Sequence, residues 1–537
     1  MYATPAARQL PVMAGAIAGV KVVEPPQRWL GDYIAPGAVG AIDAWLERPP
    51  ERNARAFIVS SDMLAYGGLD PSRAPGGISQ EAAITRLGTL RRLRAMHPHD
   101  WIAAFGTIMR LEPTAVAPVG AALNYSPIAQ PPTWEYIWEL AGMHDPPLPS
   151  EAARATRLRA AIGEPVLQQY LQTRERDRNV DLAALQLVTD GTLNRIVIGQ
   201  DDAGPVGLHV KDVRALQEAV VSSSIADRAS IEPGADELGV ALVAQALARS
   251  IHWTPRVAVR YSTPDGVTTQ DPLEYAPVHV TIDALIRLCG GVHDDTHPDI
   301  TLYVRVPHTT AEQDDRLIYD LQTDIAFGRS VALIDLTFLT RSYDSQAAFV
   351  RRLIAAGIAA KLDAYSSWNT TANSVGIALA EAVAANIGRR TARYDPLAHA
   401  AFMLDRYIDD YLYHDIVRPQ INADLAAHGV PDHDYLAPNA ARLADQEVRT
   451  RITPLARQLL TDIYPNYRAA LLRIDLPWPR TFEIESQLKL VPRTHLVRAS
   501  PRLTTKRTRF PHSSIALSQQ RDTRRAWERP CPRERSS

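Results

Sequence analysis

Two adjacent carboxylates, Asp201 and Asp202, follow the apolar run NRIVIGQ and precede AGPVG. Carboxyl groups held close together cannot both ionise freely, so one keeps its proton while its neighbour stays anionic, the equipment of general acid/base chemistry. The structural alternative has one Asp capping a helix that starts near Val210 and the other solvated. A second acidic group, Glu232, Asp236 and Glu237 in IEPGADELG, offers the same chemistry. Asp236 and Glu237 also suit a first helical turn, where negative side chains favour the helix dipole. Glu232, directly after a short β-like run and before Pro233, makes a poor cap. Asp201, Asp202, Glu232, Asp236 and Glu237 are therefore the candidate catalytic residues.

Candidate substrate-binding residues are Asp62 in SSDMLAYGGLDPSR, Arg110 after WIAAFGTIM, Arg260 and Tyr261 in VAVRYS, and Asp363, Trp368, Asn369 and Asn373 in LDAYSSWNTTANSVG. Trp368 offers a flat apolar face to a sugar ring, and Asn369 and Asn373, four residues apart, share a helical face and supply donors and acceptors. A capped helix with a buried Trp is the structural alternative. Arg110, Arg260 and Arg480 suit a carboxylate or phosphate clamp, or a pair with a structural acid. His293, His297 and His308, with Asp294 and Asp295, match no metal-ligand spacing and read as a hydrated loop. No metal ligands are assigned and the cofactor is unknown. No Walker loop, strand-linked GxGxxG, GxSxG or HExxH is present, which lowers ATPases, dinucleotide oxidoreductases, common serine hydrolases and zincin peptidases.

These residues need a scaffold that brings distant segments together. Short β-branched runs alternate with longer helical patterns, which predicts an α/β fold with mainly parallel strands. Strands are expected at Gly19–Val23, Ala56–Ser60, Trp101–Met109, Arg195–Gly199, Ala229–Glu232, Val257–Tyr261, Ile300–Val306, Val331–Leu336 and Ile358–Asp363. Apolar spacing of three and four predicts helices over Gln80–Ala95, Asp236–Ser250, Ala311–Phe327, Gln346–Ala356 and Asn373–Asn386. In parallel α/β folds ligands bind at the carboxyl ends of the strands, and here strand after strand ends in acids, amides or arginines. Two βα-repeat units are the preferred architecture: a first α/β unit over 1–130, a helical insertion over 131–190 and a second α/β unit over 191–395. A C-terminal helical region over 396–490, all helix from Pro396 to Leu472, and a basic, disordered tail over 491–537 complete it. A single TIM-like barrel is the alternative, and either arrangement gathers the polar strand ends.

Composition sets outer limits. With 537 residues, 46% hydrophobic and 22% charged, the chain is long enough for several packed units and is not disordered throughout. The two cysteines cannot build a disulfide framework. Twelve Lys and Arg against three Asp and Glu give Val491–Ser537 a charge of +9, so the total of −2 leaves −11 on the first 490 residues. An acidic body is a poor polyanion binder, so no nucleic-acid partner is expected. The apolar stretch Leu10–Val23 is too short to span a bilayer, and Met1–Ala18, with its single Arg8, makes a poor secretion signal. No membrane partner is expected and the cytoplasm is the default compartment; the oligomeric state is not legible.

SSDMLAYGGLDPSR, the strand ending in IMR at Arg110, IGQDDAGPVG, IEPGADELG, LDAYSSWNTTANSVGIALAEA and WPRTFE at Trp478–Glu483 together resemble the bacterial family known as domain of unknown function 4127, over residues 23–485. The resemblance implies that these strand-end polar residues belong to one shared site; the family has no established activity to transfer. The chain departs from the family at its start, where LPVMAGAIAG stands in place of the usual Asp-x-Arg-Pro motif. The leading functional reading is a hydrolase acting on a sugar-like or hydroxylated small molecule, with Asp201 and Asp202 as the acid pair. Its alternatives are a Mg- or Mn-dependent hydrolase or lyase held by Asp62, Asp201, Asp202 and Glu232, and a non-catalytic ligand-binding protein that has lost part of the site.

Overall fold

The protein is described here from a computed structural model, which covers residues 4–48, 54–111, 136, 140, 143–144, 146–202, 204–340, 343–431, 433 and 435–493. The tail expected to be disordered lies outside the described residues from 494 onward, as does most of the WEYIWEL stretch. Strands β1 (Ala56–Ser60), β2 (Trp101–Ile108), β3 (Arg195–Gln200) and β4 (Ala229–Pro233) pair in that order as a parallel sheet. Strands β5 (Arg256–Tyr261), β6 (Val292–His293), β7 (Ile300–Arg305), β8 (Ser330–Asp335) and β9 (Ala364–Ser367) form a second parallel sheet in the order β6-β5-β7-β8-β9. Two α/β units with parallel strands are thus present, and the division between sheets falls between β4 and β5.

Both sheets are covered on their faces, which is why WIAAFGTI and SVALID are nearly continuous apolar runs rather than alternating ones. One core joins Phe105 and Val197 of the first sheet to Leu302 and Ile334 of the second through helices Pro5–Ile17, Leu238–Ser250, Val278–Leu288 and Thr371–Arg390. The Thr371–Arg390 helix is buried on nearly every side, and its Ala and Gly residues let neighbouring helices approach closely. The helix Glu164–Thr189, within the stretch read as an insertion, connects β2 to β3 and buries Val180, Ala184, Leu185 and Val188 against the first sheet. Among the described residues, no helix is long and apolar enough to cross a membrane.

Four elements differ from expectation. Gly19–Val23 is not a strand: it is an irregular run after the helix Pro5–Ile17, with Gly19 at φ 67° and no partner strand among the described residues. Ile358–Asp363 is a turn whose Ile358, Ala359 and Leu362 are buried, and the strand is the more polar AYSS that follows, paired with β8 from Ala332 and Ala364. The Gln80–Ala95 helix breaks at Leu87 into Gln80–Arg86 and Gly88–Met96. Finally, the region from Pro396 to Leu472 is not all helix. Tyr407–Val417 is a π-helix, and β10 (Tyr467–Asp475) pairs antiparallel with β11 (Glu485–Pro492). The Ala- and Leu-rich β10 carries little strand propensity of its own, and cross-strand pairing overrides it.

Candidate functional site

The ends of β1 to β4 converge. Ser60 caps the short helix Ser61–Tyr66, accepting from the Met63 amide at 3.1 Å, and Gly67 in the left-handed region turns the chain toward Asp70 and Arg73. Arg73 is only 2% exposed and forms an ion pair with Asp201, with Asp70 next at 4.0 Å. At the end of β2, Arg110 approaches Asp202 at 3.8 Å. The helix Glu164–Thr189 fixes that end: Arg174 donates to the carbonyls of Met109 and Arg110 at 2.6 and 3.1 Å, and Asp177 accepts from the Met109 amide at 3.1 Å.

Beneath Arg73 lies a buried acid group that sequence reasoning missed apart from Asp62. Asp62 accepts from Thr107 Oγ1 at 2.7 Å and neighbours Asp177 and Asp181. Burial first, then the Asp62 charge, raises Asp177; burial and both neighbours raise Asp181 well above the carboxylate range. Gly106 in β2 leaves the space they need, since a Cβ there would collide with Ser61 Oγ and lie 3.2 Å from Asp181 and 3.5 Å from Asp62.

The β4 end delivers Asp236 and Glu237 beside Asp202. Gly199 has no side chain to separate β3 from the Gly234 carbonyl, and the Gly234 amide donates to Gln200 O at 3.0 Å. Asp236 is half-buried and accepts from Thr4 Oγ1 at 3.1 Å. Burial pushes it up to about 6, with the Thr4 bond opposing, the Asp202 charge reinforcing and Arg480 opposing. Glu237 is fully buried and pushed up to about 8, again chiefly by burial and then by the Asp236 and Asp202 charges. Its own backbone amide and the Ala235 amide, the latter at 3.2 Å to Oε2, favour the carboxylate, while Oε1 has no hydrogen-bond partner among the described residues. Asp271 and Glu274, also missed, close the same neighbourhood by accepting from the Thr371 and Ala372 amides at 2.7 and 2.5 Å, at the start of the Thr371–Arg390 helix.

Arg480 reaches this neighbourhood from the chain's far end. It lies over the rings of Tyr33 and Trp478 at 4.3 and 4.9 Å, pairs with Glu483 at 2.7 Å and moderates Asp236. Its signal in the sequence was the WPRTFE segment; Thr4 and Asp271 had none.

Other candidates are placed elsewhere. Glu232, on β4, faces Arg195 and Arg287 in a separate cleft. Arg260 pairs with Asp295 at 2.6 Å and lines, with Tyr261 and Asp363, a groove along the second sheet. Asp363 stands just before the start of β9 rather than at its end, because the strand begins at Ala364 instead of Ile358, and it is clamped by Arg389. Trp368 is not an open platform: it is 5% exposed, at φ 67°, stacked on His414 with centroids 3.2 Å apart, and overlain by Arg418 at 5.0 Å. Burial pushes His414 down to about 4, so it stacks as a neutral ring. Asn369 accepts from the Thr370 amide at 2.8 Å, and Asn373 lies in the first turn of the following helix. Of the set Asp62, Asp201, Asp202 and Glu232, Glu232 therefore stands apart in its own cleft, and among the described residues no three His, Cys, Asp or Glu side chains are grouped to hold a metal ion.

A family model described as protein of unknown function (DUF4127) matches residues 4–487. No curated protein and no solved structure matches.

Proposed function

The chain belongs to the DUF4127 family of proteins of unknown function, and we propose that it is a hydrolase of acid/base type acting on a small hydroxylated, sugar-like substrate. The observation that carries this reading is the contrast between two neighbouring strand-end carboxylates. Asp236, half-buried and raised to about 6, holds its proton close to working pH, where a proton donor is most effective. Asp202 faces the Arg110 guanidinium at 3.8 Å, a counter-charge for a carboxylate that acts as base or stabilises a developing cation. Asp236 then protonates the leaving oxygen and Asp202 activates water or the substrate. Asp201 serves a different purpose from an acid partner: its ion pair with buried Arg73 holds the β3 end in place.

The test is hydrolysis of a panel of aryl glycosides by the purified chain, with Asp202→Asn and Asp236→Asn beside it. Loss of one acid/base group lowers turnover by about 10²–10⁴-fold. Equal signals from all three proteins refute the assignment. A panel member that raises the melting temperature without turning over makes the protein a binder instead.

A further inference from the structure

The cleft that receives Glu232 has a composition of its own. It flanks β4, the outer strand of the first sheet, encloses about 690 Å³ and is lined by Arg195, Ser230, Glu232, Arg249, His252 and Arg287. Clefts at the boundary of two sheet units are favoured places for small ligands.

Two of its arginines have a local explanation. Arg249 and Arg287 lie in the last turns of helices Leu238–Ser250 and Val278–Leu288, where a cation complements the dipole, and Arg249 also lies over the Trp101 ring at 5.6 Å. Arg195 has no such explanation. It opens a strand, burial pulls its pKa down, Nη2 donates to Ser230 Oγ at 2.7 Å, and the Nε donor is shielded from solvent with no acceptor among the described residues. An unfilled guanidinium donor inside a cleft is costly unless something supplies the acceptor.

Glu232 supplies the opposite charge and accepts from the Ser230 hydroxyl. It is 9% exposed and lies on the same face of β4 as Ser230. The Arg287 and Arg195 charges both bear on it, yet among the described residues no ion pair joins it to either. The Ser230 hydroxyl thus links Arg195 to Glu232, while Arg287 lines the same cleft without an ion pair to the carboxylate among the described residues, and the open part of the cleft lies beside these charges.

We propose that this cleft binds a small oxyanion carrying a neighbouring hydroxyl donor, the chemistry of a phosphorylated or carboxylated polyol. The oxyanion accepts from Arg195 and Arg287, whose planar forks match phosphate and carboxylate oxygens. Glu232 accepts from the adjacent hydroxyl. This site stands apart from the strand-end carboxylates and does not depend on the hydrolase reading.

Isothermal titration of the full chain with glycerol 1-phosphate, and separately with inorganic phosphate, tests it. Both are expected to bind, with glycerol 1-phosphate the tighter because only it carries hydroxyls for Glu232. Arg287→Gln, an exposed residue that the fold tolerates, should weaken both by about tenfold or more, the loss of one charged hydrogen-bonding partner. Glu232→Gln should narrow the gap between the two probes, and Asp202→Asn should change neither. No saturable binding by about 10 mM of either probe overturns the proposal. So does binding that survives Arg287→Gln but disappears in Asp202→Asn, which would put the anion at the strand-end site.

Discussion

Glu237 gives the sharpest test of the electrostatics around the β4 end. Its side chain is fully buried: a Cβ on Gly376 would run into its Cγ, and one on Gly234 would strike Oε1. The charged form is therefore shielded from solvent and helped by two backbone donors, its own amide and the Ala235 amide at 3.2 Å. The carboxyl rises from its ordinary 4.5 to about 8. In the folded protein Glu237 thus binds a proton over a pH range where the unfolded chain has released it, so stability falls as pH rises. The contribution is complete below pH 4.5, declines from there and is exhausted once pH passes about 8. At about 1.4 kcal/mol per pKa unit, the full decline is on the order of 5 kcal/mol, and water entering around the charged form reduces it to about 2–5 kcal/mol. Glu237→Gln keeps the shape and removes the titration. Urea unfolding of both proteins at pH 5, 7 and 9 should give nearly equal stabilities at pH 5 and a growing advantage for the Gln variant at pH 7 and 9. Groups common to both proteins cancel in that difference. A difference that is flat with pH, or that favours the natural Glu at pH 9, would mean that Glu237 is charged in the fold, and the argument would be wrong.

Other consequences follow from the same contacts. If Asp236 is the proton donor, turnover falls as pH rises through about 6, and Asp236→Asn flattens that limb in a pH–rate profile. Gly199→Ala places a methyl against the Gly234 carbonyl and Leu238, and denaturant melts should show a loss of about 1–3 kcal/mol. Arg305, 1% exposed, pairs with Asp314 and Asp335 at 2.7 and 2.9 Å. Arg305→Met should therefore cost about 3–5 kcal/mol, and adding Asp314→Asn and Asp335→Asn should recover part of it.

The strands were legible wherever burial alone chose the residues. AFIVS, WIAAFGTI, RIVIGQ and SVALID are apolar because parallel strands are covered on both faces, and their positions follow from composition. β9 was misplaced by its own polarity: AYSS is a strand because β8 pairs with it, while the apolar IAA before it fills a core as a turn. That shift of a few residues carried Asp363 from the functional end of the sheet to the opposite end. β10 was lost for the same reason, since only its partner β11 distinguishes it from a helix. The chemistry failed and succeeded along similar lines. Reading Asp201 and Asp202 as a pair assumed that neighbours in sequence face one another, but successive residues leaving a strand point to opposite sides. Asp201 accordingly turns to Arg73 and Asp202 to Arg110. The carboxylates that do influence one another come from adjacent strands, Asp202 after β3 and Asp236 with Glu237 after β4. Both were visible as strand-end acids. Which acid faces which depends on parallel registry, on Gly199 and Gly234 permitting close approach, and on a Thr4 and an Arg480 brought from the two far ends of the fold. No spacing within a single segment encodes those distances, so the raised proton affinity that defines the site belongs to the tertiary structure.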